Sequence, residues 1–360
     1  MVNTGYKQDV AWANETAYGS AALVNQSLGL VQSINPTATN NLIKVRTLGG
    51  TRDYNNIVPG KFEVSGSFEY FLQGAAFLRQ AIGEDTGTTT TIDSGPRIHT
   101  GASYLHVMGS AASPIADSFP SFTLEFADDE STVGTYNLLR RYDGCRVNTL
   151  ALSATIDEPV KISCDWIGRT ETISTAGATS VAEGTADPYV FYQGQVYLQG
   201  TAVTAYTVPA TTAEVSEVNS FDFSVNNNLE ATWYISGTTD TYQNLRALKT
   251  LIPKGRDYDG TLNLHFADKS MYERFLGAVS ATTPQSTIGN FDVVLQFVRS
   301  GAIGAATKLV TDDWIRVVLP DCMFNDINIP GAPEDIVTET ISLAIKKAKI
   351  YVVDADSSYE

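Results

Sequence analysis

The chain has 360 residues, 43% of them hydrophobic and only 18% charged, a composition that folds around real cores and excludes a disordered polymer. Its 40 acidic and 24 basic residues give a formal charge of −16. The one dense basic run is Lys346-Lys347-Ala348-Lys349, so a groove built to grip phosphate is disfavoured.

Taken in chain order, alternation of apolar and polar residues dominates, the period expected of half-buried antiparallel strands. Residues 1–19 carry no apolar signal segment, and no apolar run approaches the roughly 20 residues of a membrane helix. A strand is expected over residues 33–42 (SINPTATNNL), followed by a polar loop at 47–58 (TLGGTRDYNNIV). The next strand is marked by Phe62, Val64, Phe68, Tyr70 and Leu72 alternating with Lys61, Glu63, Ser65, Ser67 and Glu69. A weak helix is expected over residues 73–82. Residues 84–116 are rich in Thr, Gly and Ser and read as a loop insertion at the surface. A strand at 122–126 runs into the acidic turn Asp128-Asp129-Glu130. Residues 170–187 read as a polar linker. Beyond it come strands at 220–229 and 252–266, separated by a second polar loop at 236–252. The best helix is residues 268–279 (DKSMYERFLGAV), with Asp268 as N-cap and Tyr272, Phe275 and Leu276 on one face. The closing strand alternates Ile341, Leu343 and Ile345 with Ser342, Ala344 and Lys346.

These segments repeat. Residues 33–42 fall on 220–229 (SFDFSVNNNL), and 58–72 (VPGKFEVSGSFEYFL) on 252–266 (IPKGRDYDGTLNLHF), which sets Pro59 on Pro253 and Gly66 on Gly260. Phe77-Leu78 then meets Phe275-Leu276, Leu124-Glu125-Phe126 meets Leu295-Gln296-Phe297, and Cys145 and Asn148 meet Cys322 and Asn325. Ile162, Cys164 and Trp166 fall on Ile341, Leu343 and Ile345. Matches in one order across both halves predict a mainly β chain of two tandem domains, residues 1–180 and 188–360, each with a short helix.

Reactive chemistry has no foothold in this pattern. The cysteines Cys145, Cys164 and Cys322 form no CxxC pair and read as small core residues. His99, His106 and His265 stand apart from one another and from the cysteines, so neither a metal site nor a cofactor is expected. GxSxG, GxGxxG, GxxxxGK[ST] and HExxH are all missing, and an enzyme is not expected.

The residues Glu15 to Ser20 (ETAYGS), Asn40-Asn41-Leu42, Pro59-Gly60, residues 64–68 (VSGSF), Asn227-Asn228-Leu229, Gly255-Arg256-Asp257-Tyr258 and residues 339–343 (ETISL) give the chain a pattern that resembles phage tail tube proteins. The resemblance spans most of the sequence. It implies domains that are β-sandwiches or split barrels flanked by a short helix. It further implies homotrimeric rings of double-domain subunits with pseudo-sixfold symmetry, stacked into the tail tube of a virion assembled in the host cytoplasm. Implied partners are further copies of the chain, tail terminator and baseplate or tip proteins, and a tape measure protein inside the tube. Viral DNA would pass through without specific binding, and no membrane insertion is expected. Another self-assembling virion or injection-system protein, or a carbohydrate-binding β-sandwich, stays open at this stage. Trp12, Trp166, Trp233 and Trp314 are, however, too scattered to form one sugar-binding face.

On this reading the two polar loops carry contacts between rings, through Arg52, Asp53, Tyr54, Asn55, Tyr242 and Arg246, since Arg and Tyr are favoured at interfaces. An acidic lumen is expected, because a cationic wall would hold DNA by a salt-dependent attraction. Glu63, Glu69, Glu125, Asp222 and Asp292 are the expected lumen-facing acids, with Lys61 and Arg256 as basic exceptions.

Overall fold

The computed structural model describes residues 8–48, 52–83, 90–92, 103–109, 119–132, 135–176, 187–200, 214–215, 217–234, 246–299, 313–331 and 336–354. The first half of the chain contains β1 (Gln8–Asn14), β2 (Gln26–Ser27), β3 (Leu30–Thr39), β4 (Ile43–Val45), β5 (Asn56–Val58), β6 (Glu63–Phe71) and α1 (Leu78–Ile82). It continues with β7 (Thr90–Ile92), β8 (Ser103–Met108), β9 (Phe122–Thr132), β10 (Thr135–Thr155), β11 (Lys161–Gly168) and β12 (Thr170–Ala176). The second half comprises β13 (Gly194–Gln199), β14 (Val218–Asn226), β15 (Glu230–Thr232), β16 (Thr250–Ile252), β17 (Asp257–His265), α2 (Ser270–Phe275), β18 (Phe291–Val298), β19 (Trp314–Asn328), β20 (Thr338–Ala344) and β21 (Lys349–Asp354). Among the described residues the protein is mainly β with two short helices, as its alternation predicts.

Two long strands organise the sheets. The first part of β10 pairs with β9 and β12, and its last part with β11 and β14. Likewise β19 begins between β18 and β21 and ends against β20. Each long strand therefore passes from an outer sheet into one shared inner sheet. At both corners sits a cysteine whose Sγ reaches the carbonyl three residues back, Cys145 to Tyr142 at 3.5 Å and Cys322 to Leu319 at 3.2 Å. All three cysteines are buried and free. Burial pushes the Cys322 thiol up to about 12, so these are packing groups rather than nucleophiles. Among the described residues the sheets stay open and none closes into a barrel.

One apolar cluster runs through both halves. Phe77, just before α1, lies at its centre, with Trp12, Phe68 and Phe122 edge-on to its ring at centroid distances of 5.1, 5.2 and 5.2 Å. Full burial of such a ring is worth about 2–3 kcal/mol. The ETAYGS segment is held by Glu15. Its Oε1 accepts from the Gly144 N–H at 2.7 Å and the Thr123 hydroxyl at 3.0 Å; its Oε2 accepts from the Gly19 N–H at 2.9 Å and the Ser121 hydroxyl at 2.7 Å.

Three expectations are corrected. Residues 170–176 are not linker: they form β12 on the edge of an outer sheet, where exposed polar residues alternate with little apolar content and mimic a linker in sequence. Within the expected surface insertion at 84–116, β7 and β8 form a hairpin, and β8 pairs with β21 of the other half. There the buried His106 lies 3.4 Å from Asp354. The expected helix at 268–279 is confined to Ser270–Phe275, although Asp268 does accept the Ser270 N–H at 2.7 Å.

Candidate assembly interface

The inner sheet runs β3-β6-β11-β10-β14-β17-β20-β19, eight strands, all antiparallel. Its first four strands come from the first half and its last four from the second. The joint between them is β10 against β14, in register from Thr149↔Asn226 to Thr155↔Ser220. Asn148 seals its end: its main-chain oxygen accepts the Asn227 N–H at 2.8 Å, and its Oδ1 accepts the Leu229 N–H at 3.0 Å. The buried Asn227 donates through Nδ2 to the carbonyls of Ala81 at 2.9 Å and Val147 at 3.0 Å. Arg256 completes the seal, giving Nε to Asn227 Oδ1 at 2.7 Å and Nη1 to the Ile82 carbonyl at 2.9 Å.

The two outer edges of this sheet are its β3 side and the end of β19. They are the sequence counterparts of β14 and β10, the strands already joined. Asn40 and Leu42 are exposed where their counterparts Asn227 and Leu229 are buried and half-buried, and Asn325 is exposed where Asn148 is half-buried. Among the described residues neither edge carries a further strand, and an unpaired edge of this kind is adhesive unless it is covered.

Local devices recur across the halves. Asn41 and Asn228 both adopt positive φ, 42° and 47°. Each donates Nδ2 to a carbonyl and a carboxylate on the next strand: Asn41 to Lys61 O at 3.3 Å and Glu63 Oε2 at 2.6 Å, Asn228 to Gly255 O and Asp257 Oδ2, both at 2.7 Å. A Cβ on Gly66 would stand 2.7 Å from the Trp166 ring, and one on Gly260 2.9 Å from Ile345 Cδ1. The glycines leave room for the side chains that sequence alignment sets on one another.

The polar loops prove to be hairpins, β4 pairing with β5 and β15 with β16. Their expected contact residues separate. Arg246 is committed inside the chain: Nε meets the Gly60 carbonyl at 2.6 Å, Nη2 meets Asn40 Oδ1 at 2.6 Å, and its own carbonyl accepts the Phe62 N–H at 2.9 Å. The β15–β16 hairpin thus lies back across the first half, helped by Arg146 Nη1 on the Leu251 carbonyl at 2.6 Å and by Lys61 over the Trp233 ring at 4.4 Å. Arg52, Asp53, Tyr54 and Asn55 are exposed in the β4–β5 hairpin. There the Arg46 guanidinium stacks on Tyr54 at 4.4 Å, and Asn55 donates its N–H to Val45 at 3.0 Å. Tyr242 lies outside the described residues.

The solvent side of the inner sheet is polar. Cross-strand register puts Glu63, Glu69, Asp165, Asp222, Asp257, Asp259 and Asp326 on this one face with Ser, Thr and Asn, and Lys161 is the lysine among them. Lys61 sits beside it, 2.5 Å from Glu63; that hydrogen bond lowers the Glu63 carboxyl below its ordinary value. Glu63, Glu69 and Asp222 thus share this face. Glu125 and Asp292 do not. They belong to β9 and β18 of the outer sheets; Glu125 is buried and takes Arg141 Nε at 2.6 Å, and Asp292 is buried and accepts the Asp321 N–H at 3.2 Å. Arg256 is spent inside the internal joint. Missed by sequence reasoning were Asp165, Asp257, Asp259 and Asp326, although parity with the inward Cys164 and Trp166 already turns Asp165 outward.

A sheet with one joint closed inside the chain and the same joint half-made at each end is the mark of a β-structured assembly subunit. The model of the family described as phage tail tube protein matches residues 5–346, nearly the whole chain, and the chain belongs to that family. It is a structural component of a phage tail tube. No curated protein matches it.

Proposed function

We propose that the chain forms homotrimeric rings with six similar lobes, that the rings stack into the hollow tail tube of a virion, and that the polar face of the inner sheet lines the bore. The observation that carries this reading is the eight-stranded inner sheet, which has two matching four-strand halves and complementary unpaired edges. Head-to-tail contacts with a closing rotation generate rings, and closure removes exposed edges. At about 4.8 Å between strands, three such sheets give a circumference of about 115 Å before any tilt. That bore admits a nucleic acid duplex. On this reading residues 1–180 and 188–360 are tandem tube-type domains, with the first extended through β12.

The wall is acidic, which favours passage of DNA over retention. Asp53 and Asn55 at the exposed hairpin, together with Tyr242, are the contacts proposed between rings. Tail terminator and baseplate or tip proteins close the ends of the tube, and a tape measure protein occupies it during assembly. End-on electron microscopy with sedimentation analysis tests the ring: six lobes from three chains are expected, and twelve lobes or a persistent monomer would overturn it. Assembled tubes should show no measurable affinity for short duplex DNA at physiological salt.

A further inference from the structure

The β10–β14 joint is a worked example of how one half of this protein attaches to the next. We infer that the joint between neighbouring copies repeats it in the same register, so that the β4–β5 hairpin clasps the neighbour within the same ring, with Arg52 on the Lys254 carbonyl of that neighbour. The inference rests on the ring reading and specifies its seam.

The repeat fixes the register. Transferring Thr149↔Asn226 and Ala151↔Ser224 to their counterparts sets Asp326 opposite Thr39 and Asn328 opposite Thr37 of the next copy. Asn325 then takes the role of Asn148, its Oδ1 receiving the Leu42 N–H as Asn148 Oδ1 receives that of Leu229 at 3.0 Å. Asn40 takes the role of Asn227. Its amide already has the matching orientation, because its Oδ1 accepts from Arg246 as Asn227 Oδ1 accepts from Arg256. That leaves Nδ2 directed to main-chain oxygens.

The hairpins follow the same transfer. Arg52 is the counterpart of Arg246, which holds Gly60 and Asn40. The counterparts of those two residues are Lys254 and Asn227. Tyr54 and Ile57 correspond to Leu248 and Leu251. The second pair is 2% and 1% exposed, whereas Tyr54 is 44% and Ile57 52% exposed. Apolar surface that is covered in one copy of a repeat and bare in the other is surface awaiting the equivalent neighbour. The occupant is a second copy of this chain, because only it carries the second-half surface in the required register.

Two measurements test the seam. The pair Thr37→Cys and Asn328→Cys, oxidised in assembled protein, should give covalent species that end at three chains, while Thr39→Cys with Asn328→Cys should give none; the reverse pattern would overturn the register. The pair Ala151→Cys with Ser224→Cys reports the internal joint and should close within one chain. For the hairpin, p-benzoylphenylalanine in place of Arg52 should photocrosslink to peptides around residues 227 and 254 of another chain, in a ladder that stops at three. A ladder extending without limit along the tube would place Arg52 itself between rings and overturn the clasp while leaving the ring intact. Absence of any ring in microscopy of the uncrosslinked protein would instead remove the reading on which the seam depends.

Discussion

The hairpins β4–β5 and β15–β16 occupy matching places in the two halves and meet opposite surroundings. Leu251 and Leu248 of the second are buried, and Arg246 is fixed on Gly60 and Asn40 of the first half. Ile57 and Tyr54 of the first face solvent. The difference does not come from hairpin chemistry, since both are short polar ribbons with an arginine at the same position. It comes from whether a neighbour is covalently supplied. Environment, rather than local sequence, decides which copy of a repeated element is core.

The largest effect that would sharpen this contrast is at the apolar pair. Leu251→Ala should cost the unassembled chain about 3 kcal/mol in denaturant unfolding, whereas Ile57→Ala should cost only a few tenths before assembly. Equal losses would break the comparison. Next comes the asparagine pair. Asn227→Ala strands two carbonyls and Arg256, and should cost about 2 kcal/mol. Asn40→Ala should leave the melting temperature nearly unchanged while abolishing ring formation in sedimentation.

Smaller again is the glycine pair. A Cβ on Gly66 meets the Trp166 ring and also the backbone of Asn35 and Pro36, both at 2.9 Å, while on Gly260 it meets chiefly the movable ends of Ile345 and Leu343. Gly66→Ala should therefore cost about 1–2 kcal/mol and Gly260→Ala distinctly less, as read by thermal unfolding.

The smallest effect is at Asp143, near the corner of β10, whose counterpart is Pro320. Burial raises its carboxyl to about 6, partly offset by Arg141. The folded chain thus holds this proton more tightly than the unfolded one. Stability is lost as pH rises from about 4 to 6, and the full cost is present above that range. Asp143→Asn should stabilise the protein by about 1 kcal/mol at pH 7.5, with the gain vanishing near pH 4.

The strands and their duplication were legible because alternation and turn residues act locally: Gly66, Gly260, Cys145 and Cys322 all hold equivalent places. Polar edge strands were not legible. The sequence Thr-Glu-Thr-Ile-Ser-Thr-Ala of β12 lacks an apolar face because its position on an open edge demands little burial. Acids on one polar face could be chosen only by parity within a strand of known sheet, so Glu63, Glu69 and Asp222 share the inner-sheet face while Glu125 and Asp292 lie in other layers. Arg246 could not be read as an internal clasp, because its partners Asn40 and Gly60 are some two hundred residues away and nothing local announces them.

Under the ring assembly proposed above, the internal β10–β14 joint also bears on how readily rings form. Six separate half-subunits must meet at six independent seams, and the yield of complete rings then scales as the sixth power of their concentration. Tethering the halves makes every second seam an intramolecular event, at an effective concentration in the millimolar range for a short link. Only three encounters remain, and the dependence falls to the cube. On the proposed trimer, a dilute pool of chains would therefore nucleate rings more readily than separate halves could, with fewer partial arcs on the way.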